Sequence, residues 1–333
     1  MTGETYRALV ASEESNGLVA PSVKELNISS LPANEVLIQV KYSSLNYKDA
    51  LSATGNRGIT RRYPHTPGID ACGTVVYSAH PEFHKGDQVV VCGYDLGMNT
   101  PGGFGQFINV PGSWVMPLPE GLSFRESMML GTAGFTAGLA IDRMLHNGQA
   151  PENGPVLVTG AGGGLGSLAI NILSGMGFQV IAATGKTADA GYFRSLGAAE
   201  VIAREEVTDQ SGKLLLRPRW AGVVDTVGGE ILSSVIKSCK PHGNVAVCGN
   251  ALSYELHTSV YPFILNGINL LGIESATWPM IRRRQVWDKL ATDWKPQMLN
   301  EISKEISLDE LPHYIGLILK SNIRGRVFVN MET

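Results

Sequence analysis

The sequence predicts an α/β protein of two domains, one built on a doubly wound parallel sheet and the other rich in β-strands. Its 333 residues exceed the length at which a single hydrophobic core usually keeps growing. The first third reads as short strands separated by prolines and glycines, whereas apolar strands alternate with amphipathic stretches from about Ser123. We therefore predict that 1–125 and 276–333 form the β-rich domain and that 126–275 form the parallel-sheet domain.

The β-rich domain is predicted to begin with a series of short strands and one helix. That helix starts at Asn46, and a Trp- and Arg-rich helical stretch follows Ser275. A last strand over 325–330 is expected to return to this domain. The other strands are predicted over 6–10, 35–42, 73–77, 88–92 and 107–110.

The parallel-sheet domain is predicted from apolar segments that alternate with helical spacing. The helical run MMLGTAGFTAGLAIDRML precedes them. Six such strands make a complete doubly wound sheet. They are predicted over 156–159, 180–183, 200–202, 222–227, 244–249 and 268–273.

Composition and charge exclude several function classes. With 27 Lys and Arg against 30 Asp and Glu, the net charge of −3 provides no general attraction to nucleic acid or an anionic membrane. Any phosphate site must therefore be local. No basic segment precedes an apolar core at the start, and no apolar run reaches ~18 residues, so we expect a cytoplasmic protein. The cysteines stand far apart without a CxxC pair, which predicts neither disulfides nor a metal site: Cys72, Cys92, Cys239 and Cys248.

A glycine-rich turn joins the first strand of the parallel sheet to a helix. After Val156–Thr159 come Gly160, Ala161, Gly162, Gly163, Gly164, Leu165 and Gly166, and then a helix with one apolar face. A dinucleotide pyrophosphate needs main-chain N–H groups at close range and a helix N-terminus directed at it, and glycines permit both. The spacing is GxxGxxG rather than GxGxxG, but the order of strand, turn and helix predicts a Rossmann-type dinucleotide site.

The end of the next strand indicates which dinucleotide binds. An NAD enzyme usually places an acidic residue there, on the ribose 2′-hydroxyl, but this strand ends in Thr184, Gly185 and Lys186. A hydroxyl, a glycine N–H and an ammonium group would bind a 2′-phosphate, which favours NADPH. Arg204, just past the third strand, is a second candidate cation. In the alternative interpretation, Lys186 and Arg204 are solvated surface residues.

Six segments along the chain form an ordered pattern: SSLNYKDAL (43–51), PHTPGIDACGTV (64–75), GTAGFTAG (131–138), VTGAGGGLGS (158–167), VDTVGG (224–229) and PFILNGINLLGIES (262–275). Together they resemble the zinc-independent branch of the medium-chain dehydrogenase/reductase superfamily, which contains acryloyl-CoA reductases and quinone oxidoreductases. The similarity covers nearly the whole chain. It implies a Rossmann NADP-binding domain and a GroES-like catalytic domain.

The resemblance also implies that the protein needs no metal. Zinc-dependent relatives carry a His-Glu pair in the second segment and a Cys ligand earlier, whereas this chain has Ile69 and Asp70 there and no thiolate over 46–49. Without zinc, reduction of an alkene conjugated to a carbonyl, or of a quinone, is easier than oxidation of an alcohol. The implied substrate is acryloyl-CoA or a similar short enoyl thioester, with hydride added to the β-carbon and a proton to the α-carbon.

Tyr47 is the first candidate for contacting the nicotinamide and donating that proton, with Asn46 and Asp49 ordering the site. In the alternative interpretation, Asn46 is only an N-cap, Asp49 the acidic N3 residue of a short helix, and Tyr47 a packing residue. The resemblance implies further cofactor contacts at Asn250, Ile264, Ser275 and Ser321.

Arg282, Arg283 and Arg284 form a basic run that could bind the phosphates of CoA or could be a solvated helical face. Three functions therefore stay open: a reductase of acryloyl-CoA, a quinone or enone reductase, and an NADPH-binding protein without catalysis. The resemblance further suggests a homodimer in which the edge strands over 268–273 pair.

Overall fold

The computed structural model describes residues 4–333, which divide into two units. Unit 1 contains the chain up to Thr132 together with Ala276–Ala291 and Ser303–Thr333. Unit 2 contains Ala133–Ser275 and Thr292–Ile302. The division differs from the sequence-based one at two places: the first boundary lies at 132 rather than 125, and 292–302 groups with the parallel-sheet unit.

The helices and strands follow one another along the chain; the helix Phe124–His146 spans the boundary between the two units, and the helix Leu299–Ile302 belongs to unit 2. From the start of the described chain to residue 146 they are β1 (Thr5–Glu13), β2 (Val19–Asn27), β3 (Val36–Leu45), α1 (Tyr47–Ala53), β4 (Asp70–Ser78), β5 (Gln88–Cys92), β6 (Phe107–Val110), β7 (Met116–Pro117) and α2 (Phe124–His146). The next are β8 (Val156–Val158), α3 (Gly164–Gly175), β9 (Val180–Thr184), α4 (Ala190–Ser195), β10 (Ala198–Ala203), β11 (Trp220–Asp225), α5 (Gly229–Lys237), β12 (Cys239–Val247), α6 (Tyr261–Asn266) and β13 (Asn269–Gly272). The last are α7 (Met280–Ala291), α8 (Leu299–Ile302), β14 (Ser303–Ser307), α9 (Leu311–Leu319) and β15 (Arg326–Asn330).

Unit 1 is the β-rich unit. Its larger sheet has the order β14-β15-β3-β4-β5-β7, with β6 paired to β3, and β1 and β2 form a separate antiparallel pair. The last strand, β15, pairs antiparallel with β3, which confirms its predicted return to this domain. The sequence reasoning missed β2, β7 and β14. The first is half-exposed and the last is a charged edge strand, SKEIS, so neither shows a clear apolar alternation.

Unit 2 holds the predicted doubly wound sheet. Its strand order is β10-β9-β8-β11-β12-β13, and every neighbouring pair is parallel. Numbered along the chain, this is the order 3-2-1-4-5-6, which reverses between β8 and β11. Strands and helices share an apolar core that includes Leu157, Val223 and Val245, each fully buried. The predicted α/β fold class is confirmed.

Helix α2 is interrupted at a glycine. Gly131 has φ 50° and ψ −154°, which is not helical, and a Cβ at this position would lie 2.3 Å from Ser44 Oγ and 2.6 Å from Asp70 Oδ2. Only glycine combines that backbone with so close an approach. Within residues 4–333, no helix is both long and apolar enough to cross a lipid bilayer.

Candidate functional site

The glycine turn of unit 2 lies at the carboxyl edge of its sheet, where the strand order reverses. It connects β8 to α3, whose N-cap is Gly163. Gly160 has φ 59°, and a Cβ there would lie 2.1 Å from Thr226 Oγ1 at the end of the neighbouring β11. At Gly166 a Cβ would lie 2.5 Å from the Gly160 carbonyl oxygen. Glycines at these positions therefore let the helix start directly against the two central strands.

The start of α3 has the properties of an anion site of the kind that a dinucleotide needs. The first N–H groups of a helix, here those of Gly164, Leu165 and Gly166, have no partner within the helix. These N–H groups point out of the helix N-terminus, where the helix dipole is positive, so they favour a negatively charged group. A Cβ on Gly163 would find only the Gly160 carbonyl oxygen within 4 Å, at 3.5 Å, which leaves space in front of the helix. The residues present therefore fit a pyrophosphate.

Asp225 stabilises the same edge, although sequence reasoning gave it no role. Its buried carboxylate accepts hydrogen bonds from Thr159 Oγ1 (2.7 Å) and the Gly228 N–H (2.8 Å). Thr226 Oγ1 in turn donates to the Thr159 carbonyl oxygen (3.0 Å). Burial raises the pKa of Asp225. The bonds tie the ends of β8 and β11 together beside the glycine turn.

The residues predicted to select the dinucleotide come together at the end of β9. A Cβ on Gly162 would lie 3.7 to 3.9 Å from Phe193, Lys186 and Thr184, and a Cβ on Gly185 would lie 3.4 Å from the Arg204 guanidinium. The Thr184 hydroxyl accepts a hydrogen bond from the Lys186 N–H (3.0 Å), and Arg204 pairs with Glu205 at 2.9 Å. Thr184 and Lys186 thus lie beside the glycine turn, and Arg204 lies beside Gly185 at the end of the same strand.

The remaining predicted cofactor residues lie in different places. Asn250 is exposed in the loop after β12, and that loop is joined to Thr226 because the Ala251 N–H donates to the Thr226 carbonyl (3.4 Å). Ser275 accepts a hydrogen bond from Thr136 Oγ1 (2.8 Å) within unit 2. Ile264 is an exposed residue of α6, and Ser321 follows α9 in unit 1 with φ 57°. Their roles toward a cofactor stay predictions.

A buried polar cluster of unit 1 surrounds the start of α1. Asn46 Nδ2 donates to Asp70 Oδ2 (2.8 Å) and Asp49 Oδ2 (3.1 Å), and its Oδ1 accepts from Arg326 (3.1 Å). Asp70 also accepts hydrogen bonds from Ser44 Oγ (2.7 Å) and from the hydroxyl of Thr132 (2.6 Å). Every carboxylate oxygen of Asp49 and Asp70 therefore accepts at least one hydrogen bond.

Asn46 is the N-cap of α1 and Asp49 is its N3 residue, as the alternative interpretation of these two residues predicted. The Asp49 carboxylate accepts hydrogen bonds from the backbone N–H groups of Asn46 and Ile69, both at 2.8 Å. Asp49 is fully buried, and its hydrogen bonds with these two N–H groups hold the first turn of α1 in place.

The electrostatics of the cluster depend on one guanidinium. Burial raises the pKa of Asp49 to about 7, the neighbouring Asp70 adds to this rise, and the hydrogen bonds from Asn46 and Ile69 oppose it. Burial also lowers the pKa of Arg326, while the charges of Asp70 and Asp49 oppose that change. Arg326 is thus the cation that compensates two buried carboxyls.

Sequence reasoning missed Arg326 because its position in the last strand gives no sign that it meets Asn46, 280 positions earlier. For Asp70, the one sign of a functional role in the sequence was its place in the segment 64–75, which carries the family resemblance.

Tyr47, the first residue of α1, differs from its neighbours in being exposed. Its side chain is 52% exposed, and its hydroxyl forms no hydrogen bond with any residue in the described range. The Asn46 and Asp49 bonds fix the helix that carries it. Tyr47 is therefore half-exposed at the start of a helix whose first turn is held by these bonds, and its role toward a cofactor or substrate stays a prediction.

The basic run in α7 is not a cluster of three available cations. Arg283 is 1% exposed and donates hydrogen bonds to the carbonyl oxygens of Cys92 and Ala276, both at 2.9 Å. Its guanidinium lies 4.8 Å from the centre of the Tyr94 ring. Arg284 pairs with Glu82 at 3.7 Å, whereas Arg282 is exposed. The interpretation of the run as a solvated face is therefore wrong for Arg283, whose guanidinium is held by backbone and ring contacts inside unit 1.

The cysteines are free, and Cys72, Cys92 and Cys239 are buried, which raises the pKa of each thiol. Among residues 4–333 no group of three or more His, Cys, Asp or Glu side chains is arranged to hold a metal ion.

Two family models match the chain. The model described as an alcohol dehydrogenase GroES-like domain matches residues 32–120, and the one described as a zinc-binding dehydrogenase matches residues 164–292.

The relatives match nearly the full length of the chain. The Bacillus subtilis protein YhfP, named as a quinone oxidoreductase, is 45% identical over 98% of this chain and 99% of that protein. Its crystal structure with NAD bound has a TM-score of 0.96 and covers 98% of this chain and 100% of that one. Acrylyl-CoA reductase AcuI of Ruegeria pomeroyi is 42% identical over 98% of this chain and 99% of its own length.

A third relative is the yhdH oxidoreductase of Salmonella enterica, whose crystal structure is a complex with NADP. It has a TM-score of 0.94 and 40% identity, and the match covers 97% of this chain and 99% of that one. The chain therefore belongs to the medium-chain dehydrogenase/reductase superfamily of oxidoreductases, in its zinc-independent branch of quinone oxidoreductases and acryloyl-CoA reductases.

Proposed function

We propose that the chain is an NADPH-dependent reductase of the carbon–carbon double bond of a short enoyl-CoA, with acryloyl-CoA as the preferred substrate and propanoyl-CoA as the product. The observation that carries the cofactor assignment is the grouping of Thr184, Lys186 and Arg204 beside Gly162 and Gly185. A carboxylate at the end of β9 would repel a 2′-phosphate, whereas the ammonium and guanidinium attract it.

The substrate assignment is supported by two relatives and by elementary chemistry. Proteins named as acrylyl-CoA reductases, from Ruegeria pomeroyi and Escherichia coli, are 42% and 40% identical to this chain. When bound, reduced nicotinamide supplies a hydride, and an alkene conjugated to a thioester accepts it because the resulting charge spreads onto the carbonyl oxygen. A quinone reductase is the second candidate, since the name of YhfP favours it at 45% identity.

Within this proposal the polar cluster of unit 1 positions a proton donor. We assign Tyr47 as the group that protonates the α-carbon, because its side chain is half-exposed and its hydroxyl is bonded to no described residue. Asn46 and Asp49 hold the first turn of α1 in place through their hydrogen bonds and do not need to meet the substrate. Arg326 and Asp70 keep Asn46 in its orientation.

The proposal predicts a clear order of substrates. Purified protein should oxidise NADPH fastest with acryloyl-CoA, more slowly with crotonyl-CoA, and slowly with benzoquinone, as followed by the loss of NADPH absorbance. NADH should be a poor donor with each substrate. Turnover confined to benzoquinone would establish the second candidate, and tight NADPH binding without any turnover would contradict both.

We also propose that the protein is a homodimer that pairs through the β13 edge of unit 2. In the segment 254–265, which precedes β13 along the chain, four large apolar side chains are more than half exposed: Tyr254, Val260, Ile264 and Leu265. An apolar sheet edge left open promotes aggregation, so a partner is expected to cover it.

The prediction is that light scattering gives twice the chain mass for the wild type and that Leu265→Asp shifts the protein toward the monomer. An unchanged dimer in Leu265→Asp would place the interface elsewhere.

A further inference from the structure

The loop after α1 carries three exposed arginines within six positions, Arg57, Arg61 and Arg62. The three differ in whether a carboxylate neutralises their charge. Arg57 forms an ion pair with Glu13, and its guanidinium lies 4.9 Å from the centre of the Tyr63 ring. Arg61 and Arg62 have no carboxylate within ion-pair distance among residues 4–333. Two uncompensated positive charges therefore stand side by side on a chain whose net charge is −3.

This loop is ordered rather than loose. The Tyr63 hydroxyl donates to the Ser52 carbonyl oxygen (2.6 Å), and the hydroxyls of Ser52 and Thr60 share a hydrogen bond of 2.6 Å. Arg57 donates to the Arg61 carbonyl oxygen (2.9 Å). These contacts fasten the loop to the last turn of α1, so the two free guanidinium groups start from a defined backbone.

A cavity of about 340 Å³ opens beside the two arginines. Arg61, Arg62 and Asn99 line it. The Asn99 side chain is oriented from two sides, because its Oδ1 accepts a hydrogen bond from the Arg61 N–H (3.3 Å) and its Nδ2 donates to Asp95 Oδ1 (3.0 Å). Guanidinium groups have only donors, and their fork geometry suits phosphate oxygens. The chemistry of the lining therefore selects a phosphate group.

We propose that this arginine pair binds the phosphate groups at the ADP end of CoA, an assignment that rests on the proposed enoyl-CoA reductase function. Helix α1 rises about 9 Å from Tyr47 to Ala53, so Tyr47 and the arginine pair lie at opposite ends of one short helix. The pantetheine arm of CoA is long enough to extend along such a helix. The thioester is thus placed toward Tyr47 and the nucleotide phosphates toward Arg61 and Arg62.

Comparing two thioesters tests this assignment. Acryloyl-pantetheine has the reacting group of acryloyl-CoA but lacks the ADP end. The double variant R61Q/R62Q should raise the KM for acryloyl-CoA at least about tenfold, because a charge-assisted bond to phosphate is lost at each position. Its KM for acryloyl-pantetheine and its Kd for NADPH should equal those of the wild type. Arg282→Gln, which removes an exposed arginine of the same unit, should leave all three constants unchanged.

The outcomes separate this assignment from the proposed function. If the wild type reduces neither thioester, the proposed function is wrong and the assignment is wrong with it. If both thioesters are reduced and R61Q/R62Q keeps the wild-type ratio of their KM values, the assignment alone is overturned. A rise in the KM for acryloyl-CoA in Arg282→Gln, with none in R61Q/R62Q, would move the phosphate site to α7.

Discussion

Replacing Lys186 and Arg204 together by alanine is expected to raise the KM for NADPH by about tenfold or more while changing the KM for NADH about twofold at most. Lys186 lies beside Gly162 of the glycine turn, and Arg204 lies beside Gly185, which directly follows β9. NADPH differs from NADH only in its 2′-phosphate, so residues that bind this group affect one cofactor and not the other. The measurement is the KM for each cofactor at saturating thioester.

Lys213→Ala is the matched control for this variant, because Lys213 is an exposed lysine of the same unit outside the glycine turn. It should leave both KM values unchanged. A complementary variant, Gly185→Asp, would start its side chain 3.4 Å from the Arg204 guanidinium and should favour NADH over NADPH through repulsion of the 2′-phosphate. Equal losses with both cofactors in the double variant would mean that the two cations bind the pyrophosphate instead. An unchanged KM for both cofactors would mean that Lys186 and Arg204 are solvated surface residues and do not bind the cofactor.

Arg326→Met is expected to be strongly destabilising, lowering the free energy of unfolding by about 3 to 5 kcal/mol. Methionine fills much of the same volume, but it leaves Asp49 and Asp70 buried without the cation that compensates them. It also removes the hydrogen bonds to Asn46 and to the Leu45 carbonyl oxygen. Urea unfolding measures the loss. Arg7→Met, at an exposed pair with Asp309, should cost no more than about 1 kcal/mol.

The pH dependence distinguishes lost charge from lost packing in Arg326→Met. The pKa of Asp49 is already raised to about 7 in the folded protein. The negative charge of Asp49 favours the protonated form of Arg326, so removing the guanidinium is expected to raise the pKa of Asp49 further. A raised carboxyl pKa means that the folded state binds more protons than the unfolded state, so stability falls as pH increases up to the folded pKa. Below about pH 7 the folded wild type and variant both hold Asp49 protonated, and above it only the wild type ionises readily.

The deficit of the variant should therefore be larger at about pH 8.5 than at about pH 6. A deficit that does not change with pH would assign the loss to packing and hydrogen bonds alone.

The strands and helices that local patterns specify were predictable. Apolar strands, a glycine turn and an amphipathic helix follow one another over 156–176, so the doubly wound sheet and its anion site could be predicted from neighbours in the chain. Asn46 and Asp49 were similarly readable, because a capping box uses two residues three positions apart. The grouping of Thr184, Gly185, Lys186 and Arg204 follows from parallel strands that end at one edge.

Tertiary structure alone decided which charged side chains are buried and which are available. Nothing in the local sequence separates Arg283, buried against backbone carbonyls, from Arg282 beside it, and nothing joins Arg326 to Asp70. The same holds for Arg61 and Arg62, which line a cavity with Asn99 because their loop is fastened to α1. Periodicity records which face of an element is apolar, whereas the partner of a charge is set by segments that meet only after the chain has folded.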